Sequence, residues 1–197
     1  MQKFPWILTL LTIMFLAATA HGGEMKPPPI EPIRIEDPAL IEALERAQQE
    51  NLRQNDGDAS ISSVQGYWSR SSSGTTVYTA KQQYFVGPLM PLTYVPPQAM
   101  VSHADYHYSS TLNDWDWYFE AYLAFQHYWD GLWYMIPLPA HQGTLQNLSV
   151  YDFMAGNGAL FVYMVNALVE GAPLYNPPVV NNNSVTVYYT FWPENIN

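Results

Sequence analysis

The sequence predicts a mainly β fold, an antiparallel β-sandwich preceded by one short helix. Three observations predict it. Turn signals built from Pro, Asn and Gly recur about every ten residues after position 74. Strong helix formers are scarce beyond Lys81, whereas β-branched and aromatic residues are abundant. The segment Ser184 to Trp192 alternates cleanly, with Val185, Val187, Tyr189 and Phe191 on one face and Ser184, Thr186, Tyr188 and Thr190 on the other. Pro193 ends that strand.

Taken in order, residues 1–20 read as an export signal. Lys3 supplies a positive start, Trp6 to Ala18 an apolar core, and Ala18-Thr19-Ala20 a small-residue cleavage pattern. The apolar run is shorter than the roughly 20 residues that a membrane-spanning helix needs, so no span is expected after cleavage. Residues 21–36 form a proline-rich tether, with Pro27, Pro28, Pro29 and Pro32 favouring an extended polyproline-type spacer. Residues 37–55 form an amphipathic helix. Asp37 suits the N-cap, Pro38 suits the first helical position, and Leu40, Ile41, Leu44, Ala47 and Leu52 make a narrow apolar stripe. The stripe leaves two destinations open, the helix's own domain or a partner. Residues 56–73 are polar and Ser/Gly-rich and read as a loop.

The sandwich itself is expected over 74–197. Thr75 to Val86 reads as strand. Gly87 to Pro97, with four prolines, reads as a covered loop or edge segment. Residues 145–155 and 159–169 flank Gly156-Asn157-Gly158, a hairpin signal. The stretch Trp115 to Ile136 fits two periodicities. Its Trp, Phe and Tyr content favours two strands closed at Asp130-Gly131, with a break inside the first. The odd positions Trp115, Trp117, Phe119, Ala121, Leu123 and Phe125 then face the core. The sandwich is immunoglobulin-like or jelly-roll-like. The pair Phe161-Val162-Tyr163-Met164-Val165 and Val185-Thr186-Val187-Tyr188-Tyr189 resembles the last two strands of immunoglobulin-like modules of secreted bacterial proteins, over about 30 residues. No functional residue is carried by that resemblance.

Charge and composition exclude more than they identify. The chain has 7 Lys and Arg against 17 Asp and Glu. After Lys81 the remaining 116 residues contain no cation, but hold eight acids and 24 aromatic residues. Binding to nucleic acid or to anionic lipid relies on Lys and Arg, so neither is an expected partner. There is no cysteine. Stability must come from packing without disulfides, and thiolate metal sites and cysteine nucleophiles are excluded. With the signal pattern, this points to a secreted, periplasmic or cell-surface protein.

Four candidate sites follow. The first is an aromatic platform on the non-core face of 115–136, made of Tyr118, Tyr122, Tyr128 and Trp133 beside Asp116, Glu120 and Gln126. A two-residue turn at Asp130-Gly131 would set Tyr128 opposite Trp133 and Gln126 opposite Met135. Flat rings stack on the C–H faces of sugars, and neighbouring carboxylates and amides accept sugar hydroxyl hydrogens. The same face can equally be covered by a second layer. The second candidate is a zinc or copper set, His103, Asp105 and His107, which alternation places on one strand face. Alternate residues lie about 7 Å apart, so the strand must bend for all three to reach one ion. The third is calcium, at Asn113-Asp114-Trp115-Asp116 or Asn55-Asp56-Gly57-Asp58, neither of which completes an EF-hand pattern. The fourth is glycoside cleavage by Asp116 and Glu120, which would stand about 13 Å apart on a flat strand, too far for either stereochemical course. No cofactor is expected. The leading function is an exported non-catalytic binding module for a neutral polysaccharide or a protein partner. The alternative is a self-assembling subunit of a surface filament or layer, and a hydrolase or metal enzyme ranks below both.

Overall fold

A computed structural model of the chain describes residues 31–54 and 65–191. The export signal, most of the tether and residues 55–64 lie outside the described residues. Nine strands and one helix follow in order: β1 (Ile33–Arg34), α1 (Pro38–Gln54), β2 (Gln65–Ser73), β3 (Tyr84–Leu89), β4 (Met100–Thr111), β5 (Phe119–Gln126), β6 (Trp133–Pro137), β7 (Gln142–Leu145), β8 (Ala159–Val165) and β9 (Val179–Thr190). They form two antiparallel sheets that pack as a sandwich. One has the order β1-β6-β5-β8-β3 and the other β2-β9-β4-β7.

The alternation read in β9 sets its place. Val185 and Val187 point into the core, and Ser184, Thr186 and Tyr188 point out. In β4, Val101, Ala104, Tyr106 and Tyr108 point in, and an irregularity between Val101 and His103 resets the alternation so that both Val101 and Ala104 are buried. β5 and β8 are buried on both faces. Leu123, Phe125, Phe161 and Tyr163 face the sandwich core, whereas Tyr122, Ala124, Leu160 and Val162 face away from it. A strand covered on both sides loses its polar face, which explains the apolar runs Ala121–Phe125 and Ala159–Val162.

The second cover is α1. Asp37 caps the helix, its Oδ1 accepting from the Ala39 N–H at 2.9 Å, and Pro38 opens the first turn. Leu44, fully buried, packs with Leu40 and Ile35 on Tyr122, Ala124, Trp133, Met135, Leu160, Val162 and Phe85. Burying one leucine contributes roughly 1.5–3 kcal/mol. The helix therefore docks on its own domain. Gln48 Nε2 donates to Gln126 Oε1 at 2.8 Å, a polar link from helix to sheet. Among the described residues no helix is long and apolar enough to cross a membrane.

Several expectations need correction. Residues 65–73 are not loop but the nine-residue strand β2, paired with β9 along its whole length. The turn after β5 is longer than the Asp130-Gly131 signal implied. His127 N–H bonds Leu132 O, so Gln126 stands opposite Trp133 and Ala124 opposite Met135. The shift is two residues, so the faces keep their parity. The strand reading of 115–136 holds from Phe119, but Asp116–Tyr118 is a 3-10 turn, which leaves Trp117 exposed where its odd position had placed it in the core. Gly156-Asn157-Gly158 turns the chain into β8, but 145–155 contains the end of β7 and a 3-10 turn at Leu148–Tyr151 instead of a hairpin partner. In the 75–86 segment a strand begins only at Tyr84, and Thr76 and Thr79 make single bridges. β3 continues through Leu89, with a cis Gly87-Pro88 bond at the sheet edge. β8 and β9 lie in opposite sheets, so they are not side by side as the last two strands of an immunoglobulin-like module are.

Candidate functional site

β5 begins where the chain leaves the 3-10 turn at Asp116–Tyr118. That turn is anchored from behind. Trp115 Nε1 donates to Tyr175 O at 2.8 Å, and Asn113, at a left-handed φ of 55°, donates its amide to Asn176 O and Pro177 O, both at 3.2 Å. The Asn166 N–H closes on Tyr118 O at 2.8 Å. In front of the turn the two sheets part and leave a cleft of about 620 Å³. Its walls are Tyr108 and Leu112 from β4 and its end, Asp116, Phe119 to Tyr122 at the start of β5, and Pro137 to His141 leading from β6 toward β7. No lysine or arginine lines it.

Side chains in the cleft are held in place. Glu120 accepts hydrogen bonds from the Tyr122 hydroxyl and, at 2.9 Å, from Asn166 Nδ2. Burial pushes the Tyr122 pKa up, and its bond to the Glu120 carboxylate and the charge there push it further, so this phenol stays a donor. Tyr108 stands edge-on to His141, with ring centres 4.8 Å apart, and packs near Phe119 and Tyr163. Burial raises the Tyr108 pKa to about 12, with the Tyr106 and Asp116 charges adding to the effect. The arrangement offers ring edges and faces, two carboxylates and no positive charge.

The structure divides the expected aromatic platform. Glu120 and Tyr122 line the cleft. Tyr118 is exposed in the adjoining turn, beside Trp117, which is 93 % exposed. Trp133 (1 % exposed) and Gln126 (8 %) are buried, the first beneath α1 and the second bonded to it, so neither is an open contact residue. Gln126 is a structural junction. It accepts from Gln48 and Asn157 and donates to Gly131 O at 2.7 Å. Tyr128 sits in the hairpin beyond the far end of β5, six residues past Tyr122, and does not line the cleft. One covered face and two strand ends thus replace a single platform. Asp116, read from the sequence beside Glu120, also lines the cleft, and Tyr108, Phe119 and His141 complete it, although alternation marked Phe119 only as core and no local motif joins Tyr108 and His141.

Alternation places His103, Asp105 and His107 on the outer face of the four-stranded sheet as expected, but they do not converge. Among the described residues no three His, Cys, Asp or Glu side chains are grouped to hold a metal ion. Asp105 is already engaged by Thr144 Oγ1 at 2.5 Å and Tyr188 Oη at 3.2 Å. The bond to Asp105 raises the Tyr188 pKa. His103 bonds Ser102 Oγ at 3.0 Å and lies flat on Tyr188, ring centres 4.2 Å apart and 9° from parallel. These rings cover one another and leave no free face between them for a sugar. Of the calcium candidates, 55–58 lies outside the described residues, and the Asn113 amide is turned as a donor to two carbonyls. Asp116 and Glu120 line the same cleft, and the flat-strand separation does not apply because Asp116 belongs to the turn.

No family model matches the chain, and no curated protein matches it. Eleven chains of solved structures do. One, from a crystal structure of FLHE, is similar with a TM-score of 0.51 and 19 % identity, covering 65 % of this chain and 99 % of that one. Another, from the X-ray structure of tomato aspermy virus, has a TM-score of 0.34 and 10 % identity, covering 78 % of this chain and 97 % of that one. The second score is too low to carry an argument. At 19 % identity the first likeness is one of fold alone.

Proposed function

We propose that the protein is an exported, non-catalytic binding module that takes a neutral glycan in the cleft at the start of β5. The observation that supports this reading is the lining of that cleft. Phe119 and His141 supply accessible rings with Tyr108 and Tyr122 buried behind them, Asp116 and Glu120 supply acceptors, and no lysine or arginine lines the cleft. Sugar C–H faces pack on rings, and sugar hydroxyls donate to carboxylates. Glu120 is positioned for this by Tyr122 and Asn166. An anionic sugar would meet two carboxylates and no counter-charge, so the ligand is neutral. Export rests on the Lys3, Trp6 to Ala18 and Ala18-Thr19-Ala20 pattern.

A glycan array followed by calorimetry tests the proposal. The protein should bind at least one neutral oligosaccharide and return it uncleaved. Asp116→Ala and His141→Ala, both exposed, the second contacting Ser110 at 3.4 Å and the edge-on ring of Tyr108, should each weaken binding about tenfold or more. Absence of binding across neutral glycans, or affinities unchanged in both variants, would overturn it. Release of shorter sugars would replace the binding module with a hydrolase using the same two carboxylates.

A further inference from the structure

We propose that the outer edge of β2 from Tyr67 to Ser71 is a homodimer interface, on which β2 of a second copy pairs antiparallel across a twofold axis. β2 is nine residues long and pairs with β9 from Gln65↔Thr190 to Ser73↔Asn182 without a register shift. It lies at the edge of its sheet, and no strand among the described residues pairs its other side. Proteins protect such edges with short strands, prolines, bulges or charges. The other three edges here carry those devices. β1 has two residues, β7 has four, and β3 has Pro88 and a register shift between Val86 and Leu89. β2 has no proline, bulge or acid, and Arg70 is its one charge. It is a nearly uncharged strip on a chain with 17 acids and 7 cations, so it is a place where two copies can approach without acid facing acid.

The backbone phase selects the partner and the register. Gly74 N–H donates to Asn181 O, which turns the N–H and C=O of the even residues Trp68, Arg70 and Ser72 toward β9. Those of Tyr67, Ser69 and Ser71 point outward. A second β2 in antiparallel orientation presents the same odd set, and every twofold register pairs odd with odd. Centring on Arg70 would oppose two guanidinium groups, which is destabilising. Centring on Trp68 would shorten the overlap. Centring on Ser69 overlaps the full outward-facing run Tyr67–Ser71, sets Tyr67 beside Ser71 of the second copy, and places Arg70 opposite its Trp68. The twofold closes the edge, so the assembly stops at two copies. None of the cleft residues belongs to β2, so this proposal stands or falls independently of glycan binding.

Sedimentation equilibrium of the purified protein should give a mass that falls from two copies to one on dilution. Ser69→Lys opposes two ammonium groups at the twofold and should raise the dissociation constant at least about tenfold. Ser69→Pro should do the same by removing an outward N–H, without breaking the ladder to β9. Both should keep the circular dichroism spectrum of the parent. Because the chain has no cysteine, Ser69→Cys introduces a single thiol that should crosslink two copies under mild oxidation, whereas Val150→Cys, exposed elsewhere, should not. A monomer at every concentration, a dimer indifferent to both substitutions at Ser69, or equal crosslinking at both cysteine positions would each overturn the proposal.

Discussion

The Tyr163 hydroxyl on β8 donates to Oδ1 of Asn183 on β9, so a hydrogen bond crosses the core from one sheet to the other. Asn183 in turn donates to Ser73 O at 3.1 Å, tying the same contact to the end of β2. Both side chains are buried. Tyr163→Phe leaves a buried amide oxygen without its donor and should cost about 1–3 kcal/mol. Urea unfolding measures it. The double variant Tyr163→Phe, Asn183→Leu should lose less than the sum of the two single changes, because removing both partners leaves less polarity unpaired.

Leu44 is a fully buried residue of α1. Leu44→Ala should cost about 2–5 kcal/mol at that contact. Hydrogen exchange should show the amides of Pro38–Gln54 opening while β5 and β8, held by the sandwich core, keep their protection. Equal loss of protection in helix and strands would mean that the helix is not a separable layer.

Asp130 controls an acid limb. Partial burial raises its pKa, but the Leu132 N–H, the Tyr134 hydroxyl and His127 outweigh that and bring it from 3.8 to about 2. A carboxyl whose folded pKa is depressed contributes stability above its unfolded pKa and loses it as pH falls through the folded one. The window is therefore roughly pH 4 down to 2. Asp130→Asn should flatten the decline in stability across that window and leave the neutral range less stable than the parent, read from thermal midpoints against pH.

Gly74 sits where β2 leaves β9. A methyl group there would stand 2.0 Å from Val180 O, and backbone cannot swing aside as a side chain does. Gly74→Ala should cost about 1–3 kcal/mol in urea unfolding, as other forced contacts do. A neutral result would show that the β2 end shifts freely.

The legible parts of this fold were periodic or local. The alternation of Val185 and Val187, the odd-even parity of Phe119 to Phe125, and the Asp37-Pro38 cap could be read because each depends on neighbours a few residues away. β2 could not. Its serines look like loop, Trp68 is the only large apolar residue it turns inward, and its strand character comes from β9, far along the chain. The Gln126–Trp133 register depended on turn length, for which Asp130-Gly131 was a misleading cue. Tyr122 and Trp133 were read on the correct face, but nothing in their own segment indicated that α1 covers it. The cleft draws on Tyr108, Glu120 and His141, and only the sheet pairing brings these three elements together.

Among the described residues the last strand, β9, lies between β2 and β4 in its sheet. A chain emerging from N- to C-terminus thus holds β2 and β4 with no strand to join them until β9 has been made. Closure waits on pairings such as Gln65 with Thr190, among the most distant in sequence, and distant pairings are the slow ones to form. Assembly of the four-stranded sheet therefore waits for β9. A chain truncated before Val179 would carry two unmatched strand edges in place of that sheet.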